Sequence, residues 1–409
     1  MLEKVDVTLD ELRHLVSDQA LTGDTLLLNM GPQHPSTHGV LRLLLELDGE
    51  IIINCIPDVG FLHTGIEKNI EAKTFAQAEV MTDRLDYLNT MGNNLAYCLA
   101  VEKLTGLDVP ERAQVIRVIF AELQRIASHL IWLATQALDL AAQSVFLFCF
   151  REREIILRIM ELCSGQRMMT TYFRPGGLWR DVPVEFEEAV RDFIAYFPKR
   201  IEQYEGLLTK NPIFLDRVKG IGKMSKEEAL AWGASGPTLR GSGVDFDLRK
   251  AHPYSGYEQY DFEVPVHEDG DVFARYMCRM QEFRESLKII EQALDRLPMG
   301  PVRSNNRKIV PPPRAELGQS MEAVIHHFKL WTEGYDVPKG SVYQKVESPR
   351  GELGLFLESD GGPKPYRAYW RTPSFNHIQL FSWLARGHYV ADLVAIIGSV
   401  DIVLGDTDR

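Results

Sequence analysis

Residues 129–150 read "HLIWLATQALDLAAQSVFLFCF". This is the most apolar stretch of a 409-residue chain, and the fold class turns on whether it crosses a bilayer or fills a protein core. A spanning helix needs about 18 or more apolar residues in succession. Gln136, Asp139 and Gln143 interrupt the run, so it reads as a buried core helix passing into the next one. A helical bundle is therefore the expected centre of the molecule.

The bundle extends outward on both sides of this pair. Pro110 suits the first turn of a helix running to about 142. Its partner starts at Ser144 and ends at "CSG", where Gly165 fits the position just past a helix end. Upstream, 64–74 and 75–104 are expected to be helical, with Gly92 a weak point. Downstream, helices are expected over 183–208, broken at Pro198, and over 271–297, 320–332, 374–386 and 388–398. Ser225 and Glu228 form a capping-box pair for one short helix.

Strands are expected at 24–30, 40–47 and 50–56, with Asp48-Gly49 as a hairpin turn, and again at "SVYQKVES", "GELGLFLES" and "PYRAYWR". A short helix capped by Thr8 and Glu11 opens the chain, and "SVDIVLGDTDR" is its tail. The expected fold is mainly α with a small β subdomain (α+β). Residues 1–62 make a β-rich N-terminal subdomain, and 63–409 a helical bundle with inserted strands at 338–372 and C-terminal helices.

Composition narrows the function. The charged fraction of 25% and hydrophobic fraction of 45% are ordinary for a globular chain, while a net charge of −12 disfavours a nucleic-acid groove. Cys55, Cys98, Cys149, Cys163 and Cys278 form no CxxC or CxH pair, so the chain shows no zinc or iron–sulfur cradle, and a reducing compartment is expected. "MLEKVDVTLDELRHLV" is charged from its third residue and lacks the apolar segment of a signal peptide. No GxGxxG, P-loop, GxSxG or HExxH occurs, which removes the usual supports for nucleotide, hydrolase and zinc-protease chemistry.

Three places carry residues that packing alone does not ask for. In "GPQHPSTHGV", 31–40, two prolines stiffen a loop bearing His34 and His38 between apolar strands. The histidines either hydrogen-bond locally or supply a proton to a ligand, since imidazole titrates near neutrality. Asp139 lies among leucines in the long helix, on a stripe with Ser128, Trp132 and Thr135. It either makes a packing hydrogen bond or faces a cavity and orients a histidine. In "TDRLDYLN", 82–89, helical spacing would stack Asp83 on Tyr87 with Arg84 beside it. Surface ion pairing explains such a cluster, but a buried phenol can also hold a carbonyl oxygen. "YFRPGG" and "ESPRGELG" place arginines next to turn glycines, suited to binding an anion or pinning a loop.

Taken in order, "MGPQHPSTHGVLRLLLELDGE", "DVGFLHTGIEKNIE", "DRLDYLN", "YFRPGG", "ESPRGELG" and "SVDIVLGDTDR" closely resemble the D subunit of the proton-pumping NADH–quinone oxidoreductase, respiratory complex I. That family resembles in turn the large subunit of nickel–iron hydrogenases, whose metal is held by two CxxC pairs. Here those pairs fall near Asp86 and Asn89, and near Val403 and Asp406; none is cysteine, so thiolate ligation of nickel and iron is impossible.

The resemblance implies a cavity that has lost its metal and receives a quinone headgroup. His38 and Tyr87 would bond the two quinone oxygens, Asp139 would pair with His38, and Thr135 and Arg84 would line the site. It also implies that FMN and the iron–sulfur clusters belong to partner subunits. Electrons would arrive from the terminal cluster of the neighbouring iron–sulfur (B) chain, near Arg84 and "RMMTTYFRPGG". Many relatives carry histidine where this chain has Met169. Implied partners are complex I subunits B, C, H and I, on the cytoplasmic side of a bacterial inner membrane, peripheral to the membrane arm. Two other readings remain open. A hydrogenase lacks its ligands, and a metal-free scaffold without quinone contact leaves the loop and Asp139 unaccounted for.

Overall fold

The structure is a computed structural model that describes residues 25–409; the expected opening helix with Thr8 and Glu11 lies outside the described residues. Its spine is the helix Glu111–Asp139, buried almost continuously from Val115 to Ala137. It packs against Gln143–Ser164, Val272–Asp295, Thr90–Thr105 and Val390–Val400. The stretch 129–150 therefore lies inside a bundle. The first helix ends at Asp139, three residues short of the expectation, because Ala141 takes a left-handed backbone (φ 66°) and turns the chain into the next helix at Gln143. Gly165 closes that second helix, its N–H bonded to the Glu161 carbonyl at 2.8 Å. Pro198 separates Glu185–Tyr196 from Pro198–Leu207. Among the described residues no helix is long and apolar enough to cross a membrane.

Two three-stranded antiparallel sheets flank the bundle, with a two-stranded ribbon at Phe173–Arg174 and Gly177–Leu178. The N-terminal sheet runs Leu26–Met30, Arg42–Asp48 and Ile51–Asp58 in sequence order, the last two joined by a two-residue turn at Gly49-Glu50, one position later than expected because Asp48 still pairs with Ile51. Its last strand meets the C-terminal part of the chain: Ile52 N–H donates to His388 at 2.9 Å, and Gly387 N–H to Ile52 at 2.8 Å. The second sheet runs Gly340–Ser348, Gly351–Ser359 and Arg367–Arg371 and lies against Thr90–Thr105. Ser348 pairs with Gly351, so Pro349 and Arg350 alone form the tip of a hairpin that is buried in the protein. One contiguous apolar core runs from Met30 and Leu43 to Leu404.

Three elements differ from the sequence reading. The expected helix 75–104 is two helices, Phe75–Thr82 and Thr90–Thr105, separated by turns at 83–89. Polar side chains capture the backbone there: Asn93 donates to the carbonyls of Thr82 (3.1 Å) and Asp86 (2.9 Å), and Asp86 accepts from Leu88 N–H at 3.1 Å. Gly92, the expected weak point, lies inside the second helix. The segment 374–386 is two short helices, Pro373–Ile378 and Phe381–Leu384. The tail is buried: Leu404–Asp408 is helical, and the Asp408 carboxylate accepts from Gly60 N–H (2.8 Å) and Leu62 N–H (2.7 Å).

Candidate functional site

The loop 31–40 is built around a short 3-10 turn, Pro35–Thr37. His34 caps it, with Nδ1 accepting from Ser36 N–H at 3.2 Å, and the Thr37 hydroxyl donates to the carbonyls of Pro32 (3.2 Å) and His34 (3.0 Å). Gly31 enters the loop at φ 91°, where a Cβ would stand 2.1 Å from the Leu41 carbonyl oxygen; only glycine fits. Ser36 and Thr37 point inward, whereas His38, with a left-handed backbone (φ 56°), leaves its ring on the accessible side. An L-residue in that region is strained, and such strain clusters at functional loops. The His38 ring is reached by solvent but stands close enough to the chain that burial, then the Arg350 guanidinium, lowers its pKa.

Asp139 is the last residue of its helix, half-buried, and not mid-helix as expected. Its carboxylate meets Ser36, whose hydroxyl donates at 3.2 Å, and not His38. The backbone reversal after Thr37 explains the difference, since it separates the histidine ring from the face that Ser36 presents to the helix end. Burial raises the Asp139 pKa, opposed by the Ser36 bond and by His34. The Thr135 hydroxyl donates to its own helix, to Ile131 (3.0 Å) and Trp132 (3.1 Å).

Behind the loop lies a buried ionic cluster at the hairpin tip. The Arg350 guanidinium donates to Asp86 (2.8 Å), Ser128 (2.9 Å) and Asp401 (3.3 Å). Burial pushes the Asp401 carboxyl up to about 6 against the pull of Arg350 and Arg279. Asp406 joins the cluster through its charge interaction with Asp86. Thus Asp86 and Asp406 share one pocket of charge, and an arginine holds it together. Among the described residues no group of three or more His, Cys, Asp or Glu is arranged to hold a metal ion.

Tyr87 stands at the edge of this cluster, half-buried on the 83–89 turn. Burial and the Asp86 charge raise its pKa, Arg350 opposing, and its hydroxyl makes no hydrogen bond among the described residues. His38 and Tyr87, 49 residues apart in sequence, thus feel the same guanidinium. Arg84 is exposed and donates to the Val80 carbonyl at 2.7 Å. Its turn is fastened to the 167–177 segment: Asp83 accepts from Thr171 N–H (2.8 Å) and hydroxyl (2.7 Å), and Thr90 donates to the Met168 carbonyl (2.9 Å). Of the expected site residues, His38 and Tyr87 both feel the Arg350 charge, and Asp139 bonds Ser36. Arg350 itself was missed as a centre; "ESPRGELG" was its only signal, and a hairpin tip is ordinarily exposed.

Residues 139–409 match the family model described as the respiratory-chain NADH dehydrogenase 49 kDa subunit, well over half of the chain. The chain belongs to that family. Curated relatives agree along nearly the whole length. The D 2 form of the NADH-quinone oxidoreductase D subunit from Chloroflexus aurantiacus is 57% identical over 389 residues, covering 94% of this chain and 95% of that protein. The D 2 form from Koribacter versatilis is 58% identical over 385 residues, 94% of this chain and 96% of the relative. The D 1 form from Roseiflexus castenholzii is 58% identical over 399 residues, 96% of each. As a member of this family the chain is a component of NADH-quinone oxidoreductase and takes part in electron transfer from NADH to quinone. The family assignment and the mainly helical fold with its small antiparallel sheets agree with the sequence reading.

Proposed function

We propose that this chain supplies the protein side of a quinone headgroup site, in which His38 and Tyr87 bond the two quinone oxygens. The observation that carries the reading is electrostatic: both groups lie in the field of Arg350, and the Tyr87 hydroxyl is unpartnered among the described residues. Reducing a quinone to a quinol takes two electrons and two protons. A neutral imidazole and a neutral phenol wait as hydrogen-bond partners while the quinone is oxidised. Negative charge arriving on the quinone oxygens makes them stronger bases: the phenol gives up its proton, and the imidazole, protonated from solvent as that charge develops, passes on the second. Burial, with Arg350 fixed by two carboxylates adding to it, favours the uncharged His38 until then. Asp139 holds the loop through Ser36 and takes no direct part in this geometry. Thr135 and Arg84 belong to the surround, Arg84 facing outward.

Electrons would enter from an iron–sulfur cluster of the B chain across the face carrying Arg84 and the 167–177 segment, which Asp83 and Thr90 lock together. FMN and the other clusters belong to partner subunits, and subunits C, H and I complete the surroundings. The chain then sits peripherally on the cytoplasmic side of a bacterial inner membrane. The quinone tail leaves toward the H chain of the membrane arm, and quinone reduction is coupled to proton translocation.

In the assembled complex, Tyr87→Phe and His38→Ala should each slow quinone reduction about a hundredfold while cluster reduction by NADH stays intact. Asp139→Asn should act more weakly, by a few-fold, because Ser36 can still donate to the amide oxygen. Stopped-flow measurement of quinol formation checks this. Full turnover in both Tyr87→Phe and His38→Ala would favour the scaffold reading, in which the chain holds partners without touching quinone.

A further inference from the structure

The carboxyl of Asp406 is buried within reach of Tyr87 by charge, with no assigned purpose. Asp406 is 1% exposed, and neither of its oxygens has a hydrogen-bond partner. Ser374, on the Pro373–Ile378 helix, favours the Asp406 carboxylate through its hydroxyl and N–H, but less than burial and the Asp86 charge oppose it; the Ser374 oxygen itself accepts from Val403 N–H at 3.1 Å. No cation bonds this carboxyl directly, so a carboxylate there would be a costly buried charge.

Counting the facing charges leads to the same place. Three carboxyls, Asp86, Asp401 and Asp406, meet two cations: Arg350 from the hairpin tip and Arg279 from the Val272–Asp295 helix. Arg350 bonds Asp86 and Asp401 directly, and Arg279 gives its donors to the carbonyls of Ser399 (2.7 Å) and Val400 (3.4 Å). Asp406 receives neither. The odd proton therefore belongs to Asp406, and burial followed by the Asp86 charge pushes its carboxyl well above the usual range. Gly405 brings the backbone next to Asp406 up to the phenol ring. A Cβ at Gly405 would lie 2.4 Å from the Leu85 carbonyl oxygen and 3.1 Å from Tyr87 Cδ1, so the Leu404–Asp408 backbone rests against the tyrosine ring. The Asp406 charge is felt at the Tyr87 hydroxyl.

We propose that Asp406 is a proton store behind Tyr87, a neutral buried carboxyl that reprotonates the phenolate after the phenol has protonated the quinone. The inference rests on the reading of Tyr87 as quinone partner. The steps balance. The Tyr87 O–H bond breaks as an O–H bond forms on the quinone oxygen, with electrons supplied by the neighbouring chain's iron–sulfur cluster. The Asp406 O–H bond then breaks as the Tyr87 O–H bond re-forms, the proton passing through intervening water because the two oxygens are not bonded to each other; this leaves a carboxylate in the field of Arg350 that solvent reprotonates before the next turnover. Asp406 acts through Tyr87 and does not touch the quinone.

The test uses the assembled complex with Asp406→Asn, Asp406→Glu and Tyr87→Phe. Asp406→Asn should keep NADH oxidation by an artificial acceptor upstream of quinone and keep the quinone KM. Its kcat should fall at least about tenfold, and Asp406→Glu should restore most of it. Redox-induced infrared difference spectra of the wild-type complex should show the C=O stretch of a protonated carboxyl lost on quinone reduction, shifted in Asp406→Glu. That measurement stands even if the asparagine variant does not assemble. Wild-type kcat in Asp406→Asn overturns the proposal, as does a wild-type spectrum without that band. Slow turnover in Tyr87→Phe beside normal turnover in Asp406→Asn removes the store alone; normal turnover in Tyr87→Phe removes the phenol's role and the store with it.

Discussion

Met169 shows how much one side chain can decide at the residue scale. It is half-buried between Met168, whose carbonyl accepts from Thr90, and the Thr171 pair with Asp83. The position is thus fixed beside the turn that carries Arg84 and Tyr87. A thioether cannot take up a proton, so a cluster docked against this segment should have a reduction potential nearly independent of pH. Met169→His should introduce a slope approaching about 59 mV per pH unit for a one-electron centre. Potentiometric titration of the complex between about pH 6 and 8, where imidazole titrates, reads the difference directly, and a full slope in the wild type would overturn the argument. His38, Tyr87 and Asp139 stood out in the sequence as candidates because each is a chemically odd choice for its immediate surroundings. The partner of Asp139 was not legible, since Ser36 lies 103 positions away and only the left-handed residue at 38 decides which loop side chain faces the helix end.

The hairpin Gly340–Ser348 and Gly351–Ser359 illustrates the same limit at the element scale. Its strands fall where expected, but nothing in a two-residue tip says that it will be buried. The information lies in the acids that receive it, Asp86 and Asp401, which sit on two distant segments. The turn at 83–89 was hidden for a related reason: its residues suit a helix, and the competing partners, Asn93 and Thr171, become available only once the neighbouring segments pack. Removing the guanidinium should therefore be severe. Arg350→Met leaves Asp86 and Asp401 buried without their cation, a loss of about 3–5 kcal/mol. Arg350→Lys should recover only part of it, because a single ammonium cannot span both acids. Denaturant titration, or the yield of assembled complex, should rank wild type above lysine above methionine. Equal stability of all three would mean that the cluster is held by packing alone.

Across the whole molecule the bundle was readable from periodicity, whereas its polar interior was not, because buried arginines and glutamates look like surface residues until their partners are known. His129 lies at the centre of that interior. It is fully buried, and its Nε2 stands 2.6 Å from Glu282, which also pairs with Arg240. Burial opposes a charge on Glu282, but the Arg240 guanidinium and the His129 bond outweigh it and hold the carboxyl well below its usual range. His129 stays neutral: burial pushes the imidazole down from 6.5 to about 4, with the Glu282 bond opposing. The Nε2–H therefore donates, and Nδ1 has no partner to receive a proton. Because the folded pKa lies below the unfolded value, the unfolded chain binds more protons in this range. The histidine's contribution is complete above pH 6.5 and is lost as pH falls toward about 4. The shift corresponds to a loss on the order of 3 kcal/mol. Glu79 and Asp401, raised by burial to about 7 and about 6, work the other way, so the total curve mixes both signs. The difference between wild type and His129→Gln isolates the histidine. Glutamine still donates to Glu282 but cannot be charged, so any stability gap between the two proteins should move in favour of the variant by that amount between about pH 7 and about pH 4. Denaturant titrations at the two pH values measure it, and a gap that stays constant would show that His129 does not hold its proton-free state in the fold.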